Sequence, residues 1–320
     1  MERRDCIKAG ILAAASLTVA KANFVLASNP MKAREGIRKN LGIALYTVHT
    51  LMPEKLDLDI LKQIAEIGYK EVELFDFSDT PVFINDPLFG NSPKAFKQIF
   101  NDAGLSIPSA QLFVHGAENI GPWAELANEL GIKYLIEGMA PEFIEMVPDG
   151  PPIVSGVKDL DQIERIAERL NNYGEVLKKY GMGFAYHNHH MEFEMLAGET
   201  AFDHLLKLTD PDLVKIELDV GWAQVAGANS ANIIARYKDR IIALHLKDHD
   251  PDRPLDAKSP IPEGGQIATP GDGIVDYAAL FEEMDRHGIK HGFVEVDFPK
   301  DPMDTTRRGY NYLNNLKRPA

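Results

Sequence analysis

The chain has 320 residues, 45% of them hydrophobic and 26% charged, which suits a large globular core and excludes a disordered or fibrous protein. A net charge of −14 and a pI near 5.2 make the surface repel polyanions, so nucleic acid and anionic lipid are excluded as general partners and small neutral molecules are favoured. The one cysteine, Cys6, excludes a disulfide framework and a thiolate metal site, so any metal must be held by His, Asp and Glu.

At the N-terminus, Arg3-Arg4-Asp5-Cys6-Ile7-Lys8 precedes an apolar run from Ala9 to Ala20 and two small-residue cleavage signals, Ala20-Lys21-Ala22 and Val25-Leu26-Ala27. This is the pattern of a twin-arginine export signal over residues 1–27, which places the mature protein in the periplasm. The run is too short for a membrane anchor, since spanning a bilayer takes roughly 20 apolar residues.

Residues 28–320 form the mature domain. From Leu41 on, eight short β-rich runs alternate with amphipathic helical patterns: 41–47, 71–75, 107–113, 132–138, 183–189, 213–219, 240–246 and 292–297. Gly68, Gly104, Gly131, Gly181 and Gly288 close helical patterns shortly before a strand. Eight βα units over this length predict a single-domain α/β protein, a (β/α)8 TIM barrel, with function on the loops after the strands. A doubly wound open sheet is the competing architecture. The stretches from Asp76 to Pro93 and from Lys247 to Val275 are long, rich in Pro, Gly and Asp, and read as lids or binding loops.

The later strands end in polar residues where a packed core wants Val, Ile or Leu: YHNHHMEFE (186–194), ELDVGW (217–222), HLKDHD (245–250) and VEVDF (294–298). Strand residues two apart share a face, so His187 pairs with His189, Glu217 with Asp219, His245 with Lys247 and Glu295 with Asp297. Any one of these could be a satisfied core group. Four neighbouring strands doing the same call for a cation, because converging carboxylates repel unless a divalent ion turns repulsion into attraction. Asp, Glu and His together suit one ion of Mn, Zn, Co, Mg or Fe(II).

These strand ends, with GNSPKAFKQIFNDAGLSIPSA (90–110) and PGDGIVDY (270–277), resemble the sugar phosphate isomerase/epimerase family of xylose isomerase-like barrels, from about Leu41 to Leu316. The resemblance implies a metal held from strands five to eight, with Asp219, His245 and Glu295 carried over by position. Many relatives end strand five in Glu, whereas this chain has His187 there and Glu192 in the loop beyond. Either completes the set; Glu192 is favoured because it preserves the ligand charge, leaving His187 or His189 facing substrate. Gln111 stands where many relatives have His and is a substrate-contact candidate.

In such a site the ion polarises a sugar carbonyl while Glu295 or Glu192 removes the neighbouring proton and His187 or His189 delivers one. Lys247 could neutralise charge on the carbonyl oxygen, or simply pair with Asp248 or Asp297. Trp222 offers a flat face to a sugar ring, or packs. Glu73, ending strand two, points toward substrate hydroxyls or pairs with a neighbour. His49, His115, His204, His287 and His291 have no constellation around them and read as surface or supporting residues. The first expectation is thus a metal-dependent sugar isomerase or epimerase. Dehydration of a keto-sugar, or elimination from a 3-keto-glycoside, uses the same groups and suits an exported protein. A non-catalytic sugar-binding barrel is a third class, and clustered ligands argue against it.

Overall fold

The computed structural model describes residues 40–78, 84–112, 119–145, 153–253 and 265–316. The expected export segment, His115, Phe113 at the expected end of the third strand, and parts of both long loops lie outside them. Among the described residues no helix is long and apolar enough to cross a membrane.

Eight parallel strands close into a barrel: β1 (Gly42–Ala44), β2 (Glu71–Phe77), β3 (Ser106–Leu112), β4 (Tyr134–Glu137), β5 (Gly183–His187), β6 (Val214–Asp219), β7 (Ile241–Leu246) and β8 (His291–Val294). Each strand pairs with the next in sequence, and β1 closes on β8 with Gly42 opposite Phe293. The open-sheet alternative is thereby excluded. Nine helices are described, among them α1 (Leu58–Ile67), α2 (Pro93–Ala103), α3 (Ile120–Leu130), α4 (Leu160–Lys179), α5 (Ala201–Leu208), α6 (Val220–Val225), α7 (Ser230–Tyr237), α8 (Tyr277–His287) and α9 (Pro302–Asn315).

The helices start where the sequence provides a cap. Asp57, Ser92, Asp159, Thr200, Asn229, Asp276 and Asp301 each accept a backbone N–H of the first turn. Pro93 and Pro302 add a preset φ at the first helical position. Gly104 and Gly131 end α2 and α3 with φ of 76° and 88°, a left-handed turn that other residues resist. The outward faces of the strands, such as Val72, Leu74, Phe184, Ile216 and Leu244, are buried under this helical layer.

Inside the barrel the filling changes with height. His291 contacts Glu71 at 2.7 Å near the strand starts, and Ala44, Ala243 and Phe293 form an apolar plug. Beside and beyond the plug the inward residues are Glu73, Ser109, His187, Glu217 and His245, all buried and all polar. The polar filling therefore lies toward the strand ends, the chemical end of such a barrel.

Several strands are shorter than the sequence suggests, β1, β4, β5 and β8 by two residues or more, and the first and last show why. β1 stops at Ala44, and Leu45–Leu51 form a 3-10 turn whose Leu45 and Val48, with Met52 just beyond, are buried at helical spacing. β8 stops at Val294, because the Val296 N–H donates to Thr47 Oγ1 at 3.2 Å instead of continuing the ladder.

Beneath the end of β4, Arg169 of α4 reaches Glu137 and Glu142. Its Nε donates to Glu142 at 2.8 Å and its Nη2 to Glu137 at 3.0 Å, while Nη1 closes a second contact to Glu137. Burial raises the Glu137 carboxyl from its usual range, against the pull of Arg169. Removing one partner of a buried pair strands the other's charge. Arg169→Met is expected to lower stability by about 3–5 kcal/mol in urea unfolding; a loss below about 1 kcal/mol, the value of an exposed pair, would contradict it.

Candidate metal and catalytic site

Strand pairing sets the site. Glu217 lies opposite His187 and Asp219 opposite His245 in the parallel register, so residues of three adjacent strands converge at one height. His187 Nδ1 is 3.1 Å from Glu217 Oε2, and its Nε2 is 3.5 Å from Asp219 Oδ2. His245 is central: Nδ1 lies 2.7 Å from Glu295 and Nε2 lies 2.7 Å from Glu73 and 3.2 Å from Glu217. The rings of His187 and His245 meet edge to face at 4.5 Å.

Second contacts hold these groups. Glu73 accepts from Ser109 Oγ at 2.6 Å and from Gln111 Nε2 at 3.3 Å. Asn188 ties β5 to β6, its Oδ1 accepting the Asp219 N–H at 3.0 Å and its Nδ2 donating to the Asp219 carbonyl at 3.3 Å. Asp219 Oδ1 caps α6 by accepting the Trp222 N–H at 2.8 Å, which leaves Oδ2 buried and without a hydrogen bond. Lys247 stands among three carboxylates, at 2.7 Å from Glu295, 2.8 Å from Asp297 and 3.3 Å from Asp219.

Five carboxylates, Glu73, Glu217, Asp219, Glu295 and Asp297, surround two cationic side chains, His245 and Lys247. Burial drives Asp219 up to about 6 although Lys247 and His245 pull it down. Glu217 is pushed well above its usual range by burial and then by Glu73. Burial lowers Lys247 and His245, yet surrounding carboxylates hold both well above their ordinary values. Glu295 is pushed up by burial and held far below the carboxylate range by His245 and Lys247. His187 and His189 fall below the ordinary histidine range, chiefly through burial.

Among the described residues two triads could hold a metal ion, His187/Asp219/His245 and Glu73/Glu217/His245, with ligand atoms in each within 4.8 Å of one another. The donor set fits a divalent ion, and the orphaned Asp219 Oδ2 and Glu217 Oε1 fit it too. Glu295 adjoins both triads through His245.

Glu192 lies outside both. The turn Met191–Phe193 folds it back beneath β5, where Oε1 accepts from Tyr186 Oη at 2.5 Å and Oε2 accepts the His189 N–H at 2.9 Å. Burial raises its carboxyl to about 7. The strand-five side chain that lies beside Asp219 and His245 is His187. Trp222 is 1% exposed, packed with Ile267 and Val296, its ring 5.6 Å from that of His189 and 5.6 Å from Lys247 Nζ. His189 Nδ1 is buried without a hydrogen bond.

Glu217 and Asn188 join the site without having been assigned roles from sequence, and Asp297 joins it as the Lys247 partner that the sequence offered. Glu217 carried a signal, since it is two residues before Asp219 on the same face. His49 is buried and stacks on Tyr46, and so is no surface residue.

Gly221 lets this assembly close. A Cβ there would lie 2.5 Å from Lys247 Cβ and 3.2 Å from its backbone carbonyl. Gly221→Ala is expected to lower stability by about 1–3 kcal/mol through overpacking and to displace Lys247 from Asp219. An unchanged thermal midpoint together with an unchanged pH profile of activity would contradict this.

The family model described as xylose isomerase-like TIM barrel matches residues 61–316. The chain is similar to the inosose dehydratase of Bacillus licheniformis, 30% identical over 261 residues that cover 76% of this chain and 81% of the relative. It is similar to that of Geobacillus kaustophilus as well, 26% identical over 279 residues covering 81% and 84%. A solved sugar phosphate isomerase/epimerase from Parabacteroides distasonis, 24% identical, covers 88% of this chain and 95% of its own with a TM-score of 0.67, which is the same fold. Closed barrel, strand-end ligands and family match agree, and the chain belongs to the xylose isomerase-like TIM barrel family.

Proposed function

We propose that this protein is a metal-dependent lyase that eliminates water or another oxygen leaving group from a ketone-bearing sugar or cyclitol. The carrying observation is one cluster that joins the buried carboxylates around His245 to an imidazole nitrogen without a hydrogen bond, His189 Nδ1, near the Lys247 ammonium. Isomerisation, epimerisation and elimination all begin with loss of a proton beside a ketone; only elimination then breaks the neighbouring C–O bond. The inosose dehydratase relatives favour elimination over the isomerase or epimerase reading that the sequence suggests first.

We assign the metal to His187, Asp219 and His245, with Glu295 beside them and Glu192 outside the set. When bound, a divalent ion supplies positive charge next to the ketone oxygen. The remaining work belongs to the chain. Lys247, fixed by Asp219, Glu295 and Asp297, adds a second positive charge for the oxygen as it becomes negative. His189 Nδ1 takes the proton from the adjacent carbon. The electron pair of that C–H bond becomes the new carbon–carbon double bond, the C–O bond on the next carbon breaks, and its pair leaves with the oxygen. His189 returns its proton to that oxygen, so the substrate loses one hydrogen and one hydroxyl as water. Glu192 holds the His189 backbone in place, and Gln111 donates to Glu73, which in turn contacts His245. The export signal expected over residues 1–27 sets this chemistry outside the cytoplasm.

Mn-loaded protein incubated with an inosose should give a product one water lighter by mass spectrometry, with a new ultraviolet-absorbing enone. An epimer of unchanged mass would instead support the isomerase or epimerase reading. His189→Gln is expected to cut kcat by about 10²–10⁴-fold with metal content unchanged. Full activity in that variant would remove His189 from the reaction.

A further inference from the structure

The rim between β8, β1 and β2 carries an aromatic wall that the chemistry above does not use. Tyr46 and His49 come from the turn after β1, Phe75 from β2 and Phe298 from the loop after β8. Because β1 pairs with both β2 and β8, four residues distant in sequence meet at one edge of the mouth. Tyr46 and His49 stack at 4.8 Å with their planes 12° apart. Phe298 stands edge-on to both, at 5.8 Å and 6.0 Å, and Phe75 backs them at 5.7 Å and 5.8 Å.

Ordinary packing does not account for Phe298. It is 51% exposed, so burial does not select its ring. Its φ is +49°, a left-handed conformation that costs a residue other than glycine about 1–2 kcal/mol. Asp76, next to last in β2, has a φ of +56°. Strained residues on two strand ends flanking one wall are the kind of feature that functional sites retain. The wall is continuous with the acid cluster: Phe298 follows Asp297 directly, and Asp297 contacts Lys247. After burial, the charges that most raise the Tyr46 hydroxyl are Asp297 and Glu295.

We propose that Phe298, with Tyr46 and His49 behind it, is a platform for a second ring of the substrate, sugar or aryl, attached to the ring that carries the ketone. This rests on the keto-sugar reading of the acid cluster and narrows it to a glycoside. In a 3-keto-glycoside the proton lost lies between the ketone and the carbon bearing the glycosidic oxygen. That oxygen is then the leaving group, and the second ring departs as its alcohol with the proton that His189 took. A free cyclitol would leave the wall empty.

The test compares Phe298→Asn with wild type, since Asn tolerates the left-handed backbone and keeps the loop. Phenyl β-glucoside and methyl β-glucoside, neither bearing a ketone, serve as binding probes in calorimetry. Wild type should bind the phenyl compound about 10-fold more tightly, and the variant should lose that preference while binding the methyl compound as before. With the 3-keto forms, the variant's KM for the phenyl compound should rise about 10-fold at unchanged kcat and metal content. Equal binding of both probes by wild type, or a preference that survives Phe298→Asn, overturns the platform. A phenyl preference without turnover of any keto form upholds the platform and overturns the lyase reading instead.

Discussion

The structure turns on the charge around His245. Its two ring nitrogens each lie 2.7 Å from a carboxylate, one from Glu73 of β2 and one from Glu295 just after β8, and the residue is fully buried. Carboxylates taken out of water are costly unless positive charge lies beside them. His245 and Lys247 supply part of that charge, while five carboxylates, Glu73, Glu217, Asp219, Glu295 and Asp297, stand within 4 Å of one or both of them. A divalent ion held here would turn the repulsion among these acids into attraction.

The surrounding scaffold serves that demand. Asn188 fixes the Asp219 backbone, and the cap to Trp222 commits one Asp219 oxygen to α6 so that the other faces inward. Gly221 brings α6 against the Lys247 backbone. Thr47 takes the place of a ladder partner for Val296 where β8 ends, between Glu295 and Asp297. The plug of Ala44, Ala243 and Phe293 fills the barrel beside the site. Each device trades a regular element for the placement of one polar group, a trade worth making where chemistry occurs.

Most of the fold was legible because its signals are local. Alternation of strands and helices, capping residues and closing glycines each act within a few residues, and they gave eight barrel strands in the right places. The failures lie where tertiary context decides. The run from Leu41 to Thr47 reads as one strand, yet Leu45, Val48 and Met52 already hold helical spacing, and the chain bends after Ala44. Two-residue alternation brought His187, Asp219 and His245 together on paper. It had no means of placing Glu192, whose position depends on a three-residue turn and on Tyr186 waiting beneath it. The aromatic wall was invisible for the same reason: Tyr46, His49, Phe75 and Phe298 are joined only by barrel closure.

Function is read from the site, because the same barrel hosts many reactions. What the proposed chemistry requires first is the cation, and that requirement is directly measurable. Protein loaded with Mn or Zn, dialysed and assayed by plasma mass spectrometry should retain one ion per chain, and His245→Ala, which belongs to both triads, should retain none. A folded wild-type protein that retains no ion, with a thermal midpoint indifferent to chelator, would contradict the account.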